Sequence, residues 1–291
     1  MSNPRIPYRF STSRPRLNPP QGKPLIVHVV VNVEHWPFTE SMPRTIITPP
    51  HGKESIPDVA NFCWAEYGMR CGLPRIMALL GERGIAASAN LNASAIDAYP
   101  EAADSLLKAG FEFIGHGMHQ KSLNTVANER DVIEAAMGKM AQFTGKRPRG
   151  WISPGMRETF DTPDILKSCG IEYTCDWVVD DVPDWIRTTS GPMVTIPYNL
   201  ELNDSIIYAI EKHSSHEMYQ RLADTAQAFE RELKKQVRVI ALGLHPHLSG
   251  VAHRIGYLEK MLDLLCARRD TIFLQGSQIA EWFVRECPPP G

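Results

Sequence analysis

The sequence predicts an α/β fold that closes into a (β/α) barrel. Segments of strand and helix character alternate along most of the chain, the pattern of βα units around a parallel sheet. The first strand segment, Leu25–Val33, is rich in β-branched residues and apolar on both faces, as a strand covered on both sides must be. About seven or eight such units follow one another, enough for closure. The 291 residues are 43% hydrophobic and 22% charged, which excludes disorder, collagen-like repeats and coiled coil. Thirty-one basic residues against thirty-three acidic ones leave a formal charge of -2, so a general polyanion or nucleic-acid binder is a poor fit. The longest apolar run, Leu25–Val33, is too short to span a bilayer and contains His28 and Asn32. No apolar signal core precedes it, so the expectation is a cytoplasmic protein with no membrane partner. The six cysteines form no Cys-x-x-Cys pair and read as reduced thiols.

Residues 1–24 alternate proline with arginine and read as an extended arm, because proline removes backbone donors and restrains its predecessor. Such arms often pack on a neighbouring subunit, so a homo-oligomer, dimer or tetramer, is expected. Residues 25–291 then form one domain. Leu25–Val33 is its first strand. The stretch 34–62, Pro-rich and aromatic, is an ordered loop covering a pocket. A helix is predicted from Trp64 or Gly72 to Arg83, with Leu73, Ile76, Met77 and Leu80 on one face. Next come a strand at 86–90, a helix at 95–109 ending at Gly110 and a strand at 111–115. A helix at 128–145, a strand at 149–153, a helix at 162–168 and a strand at 171–176 follow. Further strands are predicted at 193–197, 237–244 and 271–274, with helices at 217–235 and 256–268.

In a parallel barrel, chemistry sits where strands end at their C-termini. Polar residues follow at least five of the predicted strands: Asn32 and Glu34; His116, His119 and Gln120; Arg157; Asp176, Asp180 and Asp181; His245 and His247. Glu34 ends an apolar strand, where an ionised carboxylate needs a partner. His116 lies between two glycines, which let the backbone approach closely and present the ring to a pocket. The crowded Asp176, Asp180 and Asp181 raise one another's pKa, so one of them could donate or accept a proton near neutrality. His245 and His247 alternate across Pro246 and share one face of an extended segment. Trp36, Phe38, Trp151, Trp177 and Trp185 could form a flat apolar wall for a small ring, although core packing is the better expectation for Trp151. Arg157 serves equally as an ion-pair partner or a substrate-carbonyl ligand.

The motifs Asn32-x-Glu34, Gly115-His-Gly-Met-His-Gln120, Gly150-Trp-Ile-Ser-Pro154, Asp180-Asp-x-Pro-x-Trp185 and Leu242-Gly-Leu-His-Pro-His247 resemble the polysaccharide-deacetylase (NodB-homology) superfamily. More narrowly they resemble its allantoinase and cyclic imide hydrolase branch. The resemblance implies a deformed (β/α) barrel and a hydrolase of non-peptide C–N bonds. It places Asn32 where the family has its base Asp, Glu34 at a ligand Asp, and Gln120 at the second metal histidine. An amide is no general base, and its oxygen is a poor zinc donor.

Two mechanisms stay open at this stage. In one, Glu34, His116 and Gln120 hold zinc. In the other, Glu34 is the base, with His245 or His116 as the acid. Catalysis is thus expected from Glu34, His116, Asp181 and His245, and substrate binding from Trp36, Arg157, Trp177, Trp185 and His247. The leading activity is opening of a small cyclic amide. The alternatives are N-deacetylation of a sugar and an inactive barrel that only binds a ligand.

Overall fold

The computed structural model describes residues 3–49 and 52–290. Nine strands make one curled sheet: β1 (Leu25–Val33), β2 (Ala87–Leu91), β3 (Glu112–Gly115), β4 (Gly150–Trp151), β5 (Tyr173–Thr174), β6 (Asp184–Ile186), β7 (Met193–Thr195), β8 (Arg238–Leu244) and β9 (Thr271–Phe273). Their order is β6-β7-β5-β4-β3-β2-β1-β8, with β9 on β1. All pairs are parallel except β6 with β7. The result is a deformed barrel, curled but without a ladder between β6 and β8 among the described residues.

Nine helices are described: α1 (Val59–Tyr67), α2 (Leu73–Glu82), α3 (Ala95–Ala98), α4 (Pro100–Lys108), α5 (Glu129–Thr144), α6 (Thr162–Ser168), α7 (Glu217–Glu232), α8 (Ile255–Cys266) and α9 (Gly276–Glu286). The predicted helix at 95–109 breaks at Pro100, which opens α4 at a position where its missing N–H costs nothing. β6 and α9 were not foreseen. β6 is three residues long inside an acidic stretch, and α9 follows β9 after only two residues. None of the described helices is long and apolar enough to cross a membrane.

β1 is buried along its whole length, and its residues divide by parity. Leu25, Val27, Val29, Val31 and Val33 join the core beneath the helices. Ile26 and Val30 face the barrel interior with Ile114, Ile152, Tyr173, Val239 and Ala241. Because side chains alternate with period two, His28, Asn32 and Glu34 continue the interior column of β1. Ile114 puts His116 on the interior side of β3, and Val239 and Ala241 do the same for His245 on β8. The functional side chains therefore converge because their strands share one inward parity.

The arm lies on its own chain. Ile6 and Leu17 are buried, and Arg5 pairs with Asp164 at 2.8 Å. Arg14 pairs with Asp180 at 2.9 Å and reaches the main-chain oxygen of Pro183, next to β6. Leu17 N donates to Gln236, just before β8. The arm thus straps the seam that the sheet leaves open. Its prolines suit this, since strap residues need few backbone hydrogen bonds.

Candidate active site

Glu34 stands at the top of β1 with its carboxylate among imidazoles. Oε1 lies 3.4 Å from His245 Nε2 and 3.9 Å from His116 Nε2, and Oε2 accepts from Trp36 Nε1 at 2.8 Å. Burial alone would raise the Glu34 pKa. His245 and His116 outweigh it and hold the carboxyl well below its ordinary range. His116 Nδ1 is 2.6 Å from the Ile152 carbonyl. A carbonyl only accepts, so Nδ1 carries a proton, and when Nε2 is unprotonated it presents a lone pair. That Nε2 is buried without a hydrogen-bond partner among the described residues. Two acceptors 3.9 Å apart suit one water molecule donating to both, which leaves an oxygen lone pair free to attack.

On the other side of Glu34, Asp204 governs His245. Its Oδ1 lies 2.6 Å from His245 Nδ1, while Oδ2 takes the His245 backbone N–H and Ser249 Oγ. Burial would lower the His245 pKa, but the Asp204 and Glu34 carboxylates override it and lift the pKa to about 9. His245 is therefore an imidazolium wedged between two carboxylates. His247 behaves oppositely: burial and the neighbouring His245 charge push it down to about 4. Its ring stands edge-on to Trp36 and Trp64, with centroids 5.3 and 4.6 Å away, and its Nε2 has no partner among the described residues.

Asn32 Nδ2 donates to Tyr198 Oη and the Leu244 carbonyl, and its Oδ1 accepts from Asn90. It acts as a pin between β1, β2 and β8.

Two π-helical turns support the β8 end. One joins α1 to α2 over Gly68–Gly72, the other spans Ser205–Ile210 directly after Asp204. Such turns recur at functional sites. A Cβ on Gly68 would lie 2.3 Å from His247 N, and one on Gly72 2.0 Å from the Pro246 oxygen. Only glycine allows this backbone approach.

A pocket of about 120 Å³ opens above Glu34, lined by Trp36, Pro43, Arg44, Gln120, Ser122 and Pro154, with Gly155 at its edge. The structure thus brings together Glu34, His116, His245, His247, Trp36 and Gln120. It does not bring Asp181. Its main-chain oxygen accepts from Val239 N and its side chain lies 3.9 Å from Arg238, six residues before His245 on an extended strand. That is about 20 Å away at strand rise. Trp185 also lies elsewhere: its Nε1 donates to the Cys287 carbonyl and its ring packs on Phe283. Arg157 is exposed beyond Gly155. Trp177 donates to Glu158, on the β4–β5 side of the barrel. Trp151 is fully buried in β4, and His119 turns to Ser94 Oγ, 2.9 Å from its Nδ1. Asp204, Ser249, Trp64 and Arg44 were not foreseen. For Asp204 the only cue is its place in the polar run Asn203-Asp-Ser205.

The residues present do not fit a zinc ion. Zinc sites use at least three strong N, S or carboxylate ligands. Glu34 and His116 supply two, and Gln120 Oε1 lies 3.4 Å from Asn92 Nδ2 as its acceptor. The third imidazole, on His245, is engaged at both nitrogens, Nδ1 with Asp204 and Nε2 with Glu34. Among the described residues no three His, Cys, Asp or Glu side chains are grouped to hold a metal.

Comparison with known proteins agrees with the barrel. A peptidoglycan deacetylase of Helicobacter pylori is 22% identical over 271 residues, covering 81% of this chain and 91% of its own. An allantoinase superposes with a TM-score of 0.86 at 22% identity, over 96% of both chains. A probable polysaccharide deacetylase of Pseudomonas aeruginosa superposes with a TM-score of 0.84 at 23% identity, over 95% of this chain and 96% of its own. Residues 63–174 match the polysaccharide deacetylase family model, and over that stretch the chain is similar to hydrolases of C–N bonds other than peptide bonds.

Proposed function

We propose that the substrate is a small cyclic amide, an imide, hydantoin or allantoin-like ring, and that one ring C–N bond is hydrolysed. The observation that carries this reading is the ionised Glu34 beside the Asp204-charged His245 under a small pocket. Water held by Glu34 Oε1 and His116 Nε2 attacks the ring carbonyl and gives its proton to Glu34. The tetrahedral intermediate collapses as His245 Nε2 donates its proton to the departing nitrogen. The C–O bond forms, the C–N bond breaks, and the product is an open chain with a carboxylic acid at one end. The proton on Glu34 then passes to His245 by way of solvent, restoring both groups.

The pocket size supports a single ring. At about 120 Å³ it is well below the few hundred Å³ typical for larger ligands. Removal of an N-acetyl group from a sugar is the second reading, favoured by the Helicobacter relative's name. Incubation with cyclic imides, hydantoins and N-acetylglucosamine oligomers separates the two. Ring opening without acetate supports the first, and acetate release replaces it with the second.

A further inference from the structure

We propose that Arg44 makes this pocket selective for a ring that bears a carboxylate. The proposal rests on the ring-opening reading and adds a substrate class to it. Arg44 lies on the long loop after β1, ten residues beyond Glu34, and its side chain lines the same pocket as Glu34, Trp36 and Gln120. It is half-buried. Its Nη1 donates to Ser205 Oγ, and among the described residues it forms no ion pair.

Among the described residues the half-buried Arg75 and Arg254 also form no ion pair, but Arg75 donates to the Gly250 carbonyl and Arg254 stacks on Tyr208. The buried arginines each hold a carboxylate. Arg5 takes Asp164, Arg14 takes Asp180, and Arg238 takes Glu232. A guanidinium cannot shed its charge, and it carries five donors in one plane. Partial burial without a carboxylate is unfavourable. Ser205 occupies one donor and leaves an edge for a bidentate carboxylate, the geometry at which arginine binds most strongly. Glu34 and His245 already pair with each other at the reacting end. An anionic group on the ring would therefore meet Arg44 within the same pocket. The competing role is a loop anchor: Arg44 would merely fasten the segment that follows β1 to Ser205.

Hydantoin-5-acetate and 5-methylhydantoin share the ring and the reacting bond but differ in the acid. With the parent protein, kcat/KM should favour the acetate by roughly tenfold or more, the size of a charge-assisted hydrogen bond, mostly through KM. Arg44→Gln should bring that ratio close to one, and Arg44→Lys should leave an intermediate ratio. No preference in the parent, or an unchanged ratio in Arg44→Gln, overturns the proposal in favour of the anchor. Should Arg44→Gln fail to fold, the Arg44→Lys ratio decides: unchanged refutes, reduced supports. If the parent opens neither ring, the ring-opening reading fails. Calorimetric binding of the same two compounds to parent and variant then still tests Arg44. Charge-selective binding lost in the variant supports it; equal or absent binding of both compounds refutes it.

Discussion

The two ends of the barrel use the same residue types on the same strands to opposite effect. At the C-terminal end Glu34, His116 and His245 meet above β1, β3 and β8, and Glu34 and His245 keep their charges there. Near the N-terminal end His28 of β1 and Glu112 of β3 meet through Ser88: His28 Nε2 is 3.0 Å from Ser88 Oγ, which lies 3.2 Å from Glu112. Burial drives His28 down to about 3 and raises the Glu112 pKa. Tyr173 Oη and the Ser277 N–H of α9 complete the Glu112 contacts. The difference lies in the partners. Asp204 and Glu34 give His245 two carboxylates, whereas His28 has only a hydroxyl. A buried histidine keeps its charge when a carboxylate stands behind it, and becomes a neutral structural pin when none does.

The largest effect expected from breaking this contrast is at Glu34. Glu34→Gln keeps the volume and the Trp36 contact but removes the base, so kcat/KM should fall by on the order of 10³ or more. Thermal unfolding at neutral pH should stay within a few degrees of the parent. Steady-state kinetics with a ring substrate decide, and turnover within a few-fold of the parent removes Glu34 from the mechanism. Asp204→Asn comes next, with a loss of roughly 10². The acid must be protonated to act, so parent activity should decline as pH rises through about 9. Without the Asp204 charge that limb should move toward the ordinary imidazole range. An unmoved limb would assign the proton donor elsewhere.

What the sequence made legible follows from periodicity. β1 and β8 are long, β-branched and uniformly apolar, so their ends were readable, and with them Glu34, His245 and His247. His116 was readable from its flanking glycines. Asp181 and Trp185 were misplaced because the chain between β5 and β7 is irregular. A motif there fixes spacing along the chain, not direction in space. Asp204 and Arg44 escaped because they sit before a π-helical turn and inside a Pro-rich loop, where no period marks a face. The arm was recognised, yet its destination depended on the open seam between β6 and β8, which local composition does not encode.

Gln120 offers a smaller effect. With two strong donors the parent should bind zinc no more tightly than micromolar, and its activity should survive a chelator. Gln120→His adds an imidazole on the pocket wall and should tighten zinc binding measurably in titration calorimetry, while changing unliganded activity only a few-fold. Stoichiometric zinc in the parent, with activity lost on chelation and restored by zinc, would reverse the reading of the donor set.

The smallest kinetic effect is expected at Glu112, and there the test is stability. Its folded pKa is raised by burial, against the hydrogen bonds of Ser277 and Tyr173. A group whose folded pKa exceeds its unfolded one stabilises fully below the unfolded value, near 4.5 for this carboxyl. That contribution is lost as pH rises through the folded pKa. Glu112→Gln resembles the neutral acid in shape and cannot ionise, so kcat/KM should be unchanged and stability altered by about 1 kcal/mol or less at acid pH. Above the folded pKa the variant should gain on the parent, because only the parent must bury a carboxylate. Urea unfolding of both proteins between pH 4 and 8 measures this directly. Parallel curves would mean that Glu112 titrates alike in both states, and the barrel would then hold charge at both ends.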